Sequence, residues 1–321
     1  MRKMQISFPV IIFLLCVAPR LSAQFNVPVE TRNAALRYWQ AFAEMHDLPA
    51  DSSTSALLEQ TIMGGTHWDE AKLGPVIDMN QAAILRMQRA TKLPECDWGA
   101  EYSVGPDASI AFLAKARVMA ALNTLYGERQ IAKGDPHAAV ETWLAGIRFA
   151  QHVAQGGSLI FALTARPALV QDLGAMAEAA QAGKIAPGDR QQIAQIVRAL
   201  PETGFDWGQA FFLDEYATEV FVQQLVNSRN PAELYVKTMG SPMPAGFVVP
   251  SQGQCETFRK FVLAVSEAYR LPPDQSETKL RALQGQIKDL APFFQQIIPT
   301  FKMNNQRVQI AAARQRLLNV L

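Results

Sequence analysis

Glu215 and Glu219 stand four residues apart in an apolar, helix-forming stretch, with Asp214 adjacent and Phe212 and Phe221 close by. At that spacing both carboxyls share one helix face, where a pair can hold a metal or move protons. No His follows at helical spacing, so the simpler reading is a solvated acidic face. Gly64-Gly65-Thr66-His67-Trp68-Asp69 is the densest polar and aromatic cluster. There His67 with Asp69 or Glu70 could form an acid–base pair beside the Trp68 ring. More simply, the glycines stop one helix, Thr66 caps the next and Trp68 packs inward. Two Asp-Trp-Gly turns place Trp98 beside Asp97 and Trp207 beside Asp206. An indole N–H next to a carboxylate can read a sugar or a cation, or it can cap and staple a helix start. Equivalent settings for the two copies favour the structural use.

Other chemistries have less support. The four histidines, His46, His67, His137 and His152, never fall three or four apart, and no His-Glu-x-x-His stretch exists. Metal binding is therefore not expected. His152 shares a polar helix face with Arg148 and Glu141 and reads as solvated. His137, in the first turn of the same helix, reads as exposed too. No Gly-x-Ser-x-Gly, phosphate-loop or dinucleotide motif occurs, so no cofactor is expected. With a formal charge of +1 and only 18% charged residues, the chain has no basic excess for nucleic acid.

The elements that must position these residues read as helices. Apolar residues make up 49% of 321 positions, enough for a sizeable core, and no run has the strand period of two. Helical spacing is found at 29–46, 53–63, 76–91, 106–133, 136–150, 158–182, 188–200, 207–228, 254–270, 276–297 and 300–321. On the 106–133 helix, Ile110, Ala114, Val118, Ala121, Leu122 and Leu125 define the expected core face. Pro167 should kink the 158–182 helix or force its start. Asp135 and Pro136 mark the beginning of the next helix after Gly134. Short connections imply antiparallel neighbours, so the expected fold is all-α, an antiparallel array of about ten to twelve helices. The stretch 239–252 is a long irregular loop whose Met243 and Phe247 must cover the core, a ligand or a partner.

Arg2 and Lys3, the apolar run Phe8 to Ala18, and Leu21-Ser22-Ala23 form an export signal over 1–23, cut before Gln24. The run is too short for the roughly 20 residues that span a bilayer. Leu15 before Cys16 does not suit lipid-anchor processing. Without Arg2, Lys3 and Arg20 the formal charge moves from +1 to −2. Residues 24–321 are expected to be one helical domain without a transmembrane helix, divisible into sub-lobes at 24–200 and 201–321. The end lies inside an apolar periodic stretch with no C-cap, which allows for a longer parent chain. Cys96 and Cys255 would remain in a disulfide-permissive compartment, and they are expected as separate buried thiols, more than about 7 Å apart.

Two resemblances add to this. The 106–150 pair resembles a tetratricopeptide-type hairpin, with Gly127 and Ala139 at small positions and Trp143 and Gly146 at the aromatic and second small positions. Leu93-Pro94-Glu95-Cys96-Asp97-Trp98-Gly99 is echoed by Leu200-Pro201-Glu202 and Asp206-Trp207-Gly208, as a duplicated unit would be. The Cys96-Asp97-Trp98-Gly99 turn, Lys115-Ala116-Arg117 and Gly134-Asp135 together resemble a group of exported bacterial helical proteins without an assigned activity. That resemblance implies an all-helical fold over about 30–230 and carries over no catalytic residue.

The leading expectation is an exported, non-enzymatic helical array that binds a protein, peptide or apolar ligand. Trp68, Trp98, Trp207, Met243 and Phe247 are the binding candidates. The competing expectation is an all-α enzyme acting on a cell-envelope polymer or small metabolite through His67, Asp69, Glu215 or Glu219. A third is a helical domain of a longer secretion-related protein.

Overall fold

The computed structural model describes residues 31–49, 52–62, 68–107, 110–244, 246–298 and 303–321. The segment 1–23 expected to direct export, and Gly64, Gly65, Thr66 and His67, lie outside the described residues. Among the described residues there are thirteen α-helices and no strand, and Asn33 and Glu95 form an isolated parallel bridge. The helices are α1 (Ala34–Glu44), α2 (Ser52–Ile62), α3 (Glu70–Ala90), α4 (Phe112–Ala132), α5 (Pro136–Ala154), α6 (Leu159–Gln181) and α7 (Pro187–Ala199). They continue as α8 (Trp207–Asn227), α9 (Pro231–Met239), α10 (Gln252–Tyr269), α11 (Pro273–Gln284), α12 (Pro292–Ile297) and α13 (Met303–Val320).

Local chemistry sets most boundaries. Asn33, Asp69, Asp135, Asp206, Asn230 and Ser251 each accept a backbone N–H at a helix start. At α10 the Ser251 and Gln254 side chains form a full capping box. Proline opens α5, α7, α9, α11 and α12, where its missing N–H costs nothing. The cap of α3 is Asp69, binding the N–H groups of Ala71 and Lys72, and not Thr66 as the sequence suggested. The expected 276–297 helix is broken into α11, a 3₁₀ turn at Ile287–Asp289 and α12, which Pro292 opens. Helix α9 was not anticipated, although Asn230, Pro231 and the left-handed Gly240 (φ 67°) frame it. The irregular 239–252 stretch lies between α9 and α10 as expected.

Helix α6 is the centre of the fold. It packs against α4, α5, α8 and the returning α13. It runs through Pro167 without a break, and by length and composition it is apolar enough to cross a bilayer, though here other helices cover much of it. Arg190 and Arg314 tie α13 down by donating to the Val320 and Val197 carbonyls at 3.0 Å each. In the α4–α5 hairpin, Gly127 lies against the fully buried Trp143, and a β-carbon there would collide with the indole nitrogen. Trp143 Nε1 donates to the Thr124 carbonyl at 3.2 Å. Gly146 makes the same close approach to Asp172 and Asn123.

The core face of α4 differs from expectation. Phe112, Leu113, Ala116, Met119 and Ala120 point inward with Leu122 and Leu125. Ile110 and Ala114 are exposed, while Val118 and Ala121 line a surface groove with Pro167. An alanine-rich helix is apolar on nearly every side, so its neighbours α3, α5 and α6 choose the buried arc.

Candidate functional site

Gly208, Phe211, Glu215, Glu219 and Val222 form one buried stripe on α8, at helical steps of three and four. Near the N-terminus of α8 this stripe meets α10 tightly. Ser266 Oγ donates to the Gly208 carbonyl at 2.9 Å, and a β-carbon on Gly208 would strike the Ser266 carbonyl oxygen. Farther along, the two helices enclose a pocket of about 310 Å³ lined by Phe212, Glu215, Tyr216, Glu219, Phe258 and Arg259, with Val220, Gln223 and Val262. Glu215 and Glu219 are only 2% and 7% exposed, so the solvated acidic face expected from sequence is wrong. They occupy core positions of the α8 stripe, which their spacing alone could not distinguish from a wet face.

The two carboxyls differ in their partners. Glu219 is paired with Arg259 of α10, whose Nε donates to Glu219 Oε2 at 3.1 Å and whose Nη2 reaches Oε1. Gln223 Nε2 also donates to Glu219, at 3.3 Å. Glu215 Oε2 is buried and has no hydrogen-bond partner. Burial, and then the neighbouring Asp214, push the Glu215 carboxyl up to about 8, so near neutrality it holds its proton. Aromatic rings wall the pocket: Phe212 stacks with Tyr216 at 6.5 Å, and Phe258 is stacked on Phe294 at 3.9 Å. Asp214 faces a smaller cavity of about 230 Å³ lined by Tyr102, Ser158 and Thr218, and burial raises its carboxyl to about 6.

The remaining sequence candidates have structural duties. Asp69 is a helix cap. Trp68 Nε1 donates to Glu70 Oε2 at 2.7 Å. Arg129, bound to Glu70 and to Asp78, together with Trp68, holds the Glu70 carboxyl down to about 2. Trp98 is 8% exposed, stacks on Phe112 at 4.1 Å and donates to the His152 carbonyl at 2.6 Å. Trp207 is 1% exposed and donates to the Thr203 carbonyl at 2.9 Å. Neither ring is open to a ligand, which corrects their standing as binding candidates.

Nor do the two Asp-Trp-Gly turns match. Asp206 caps α8, whereas Asp97 accepts the Gly99 N–H at 2.8 Å in a turn that starts no helix. Phe247 packs edge-on to Tyr235 and Phe293, so that part of the loop covers the protein's own core, with Met243 packed beside it. His152 is not the solvated surface residue expected: it is partly buried and its Nδ1 lies 2.7 Å from the Tyr38 hydroxyl. His137 is exposed, as expected, and pairs with Asp189 at 2.8 Å. Cys96 and Cys255 are free thiols.

Sequence reasoning missed Tyr216, Phe258 and Arg259. Arg259 lies forty residues from Glu219, and no local pattern reports such a pairing. The alignment of Glu215 and Glu219 with Gly208, Phe211 and Val222 was the available signal. No protein-family model, curated protein or solved structure matches the chain.

Proposed function

We propose that this chain is an exported, non-enzymatic helical binding protein, and that the pocket between α8 and α10 takes a small ligand with an apolar body and a polar head. Glu215 carries this reading: a buried carboxyl with an unpartnered oxygen beside an aromatic-walled pocket. A buried polar group without a partner is costly, so a ligand that completes its bonding binds with that cost relieved. The volume is at the small end of ligand pockets, which suits a metabolite-sized ligand better than a peptide. Export rests on the basic and apolar N-terminal segment, and the α4–α5 pair supplies a tetratricopeptide-like scaffold element.

Catalysis is the second reading, favoured by a Glu215 carboxyl raised to about 8, where it can serve as a proton donor. The binding reading has more support because Arg259 already engages Glu219, leaving one carboxyl and no paired base. The test is native purification from the exported fraction followed by mass spectrometry of the extracted small molecules. A stoichiometric ligand that disappears in Val220→Trp, which fills the pocket, is the expected outcome. A ligand retained by Val220→Trp, or turnover that depends on Glu215, would replace this reading.

A further inference from the structure

We infer, building on the pocket reading, that the ligand's polar head is an organic ammonium bound to Glu215. Of the two carboxyls in the pocket, one has a cationic partner and the other has none. Arg259 commits Nε and Nη2 to Glu219, so its charge is already matched by a carboxylate. A ligand carboxylate would find no cation in the pocket lining that lacks a carboxylate partner. A neutral head would carry no charge for the surrounding ring faces to attract. Phe212, Tyr216 and Phe258 offer ring faces or edges around the same volume, the surroundings in which alkylammonium groups are recognised.

The proton balance is explicit. The titratable and charged groups around Glu215 are Asp214, Tyr216 and Glu219 on its own helix and Arg259 from α10, with Cys255 beside the Glu219–Arg259 pair. Tyr102, in a second 3₁₀ turn (Tyr102–Asp107) packed on α8, lies toward Asp214. Below the Glu215 midpoint, the carboxyl gives its proton to the buffer and the incoming ammonium takes its place as the positive partner. Each bound cation thus releases close to one proton, and affinity rises by about tenfold per pH unit until the carboxyl is ionised.

Isothermal titration with benzylammonium, benzyl alcohol and phenylacetate, in buffers of different ionisation enthalpy, tests this. Benzylammonium should bind at least about tenfold more tightly than the alcohol, and more tightly at about pH 8.5 than at about pH 6. It should release close to one proton at the lower pH, and Glu215→Gln should lose both the preference and the proton release. Circular dichroism of that variant checks that the fold is kept. Tyr216→Ala, at a half-exposed wall position, should weaken the cation more than the alcohol even if Glu215→Gln unfolds. Equal or tighter binding of the alcohol or of phenylacetate would overturn the ammonium assignment and leave the pocket reading standing. Binding of none of the three would overturn both.

Discussion

Two regions of this molecule bring aromatic rings and titratable groups together, and they resolve them in opposite ways. Around α1 and α5, Tyr38, Phe42, Trp98, Phe112 and Phe149 stack into one cluster. Its polar atoms are satisfied internally, with the Tyr38 hydroxyl on His152 Nδ1 and the Trp98 N–H on the His152 carbonyl. Around α8 and α10, rings of the same kinds surround a void, and Glu215 keeps an oxygen with no partner. Aromatic content therefore does not mark a site. An unsatisfied buried group beside empty volume does, because it is the state a ligand can improve.

The largest effect should come from breaking the sealed region. Trp98→Ala removes a stacked ring and a buried hydrogen bond, and should cost about 3–5 kcal/mol in denaturant unfolding. A loss under about 1 kcal/mol would show that the cluster is not core. Trp143→Ala should fall in the same range, since its ring fills the α4–α5 hairpin. Gly146→Ala should cost about 1–3 kcal/mol, because the added methyl drives into Asp172 and Asn123.

The pocket side should show itself through pH. A carboxyl raised in the folded state from 4.5 to about 8 contributes stability that is full below 4.5 and lost as pH rises through about 8. Glu128, raised to about 7 by burial and then by Glu178, and Asp214, raised to about 6 by burial, act in the same direction. His152, lowered by burial and then by Arg148, opposes them as pH falls below 6.5. The melting temperature should therefore decline between about pH 6.5 and pH 8.5, and Glu215→Met should flatten that decline. An unchanged slope in Glu215→Met would mean that Glu215 is not the group responsible. The smallest effect should be at Val248, 78% exposed on the 239–252 loop, where Val248→Ser should stay within about 0.5 kcal/mol.

By itself the sequence determined that this chain is helical and where many of its helices begin, since caps, prolines and helical spacing act within a few residues. Asp135 with Pro136, and Asp206, work locally, so they were readable. The small residue Gly127 and the large Trp143 likewise announced a close hairpin. Only the tertiary structure decided which side of each helix faces inward. Helices α4 and α8 are apolar around most of their circumference, so the buried arc follows from which neighbours dock, and not from the pattern. That is why Ile110 and Ala114 are outside while Glu215 and Glu219 are inside. It is also why Arg259 could not be assigned to Glu219: a contact across forty residues is fixed by packing, and no local spacing records it.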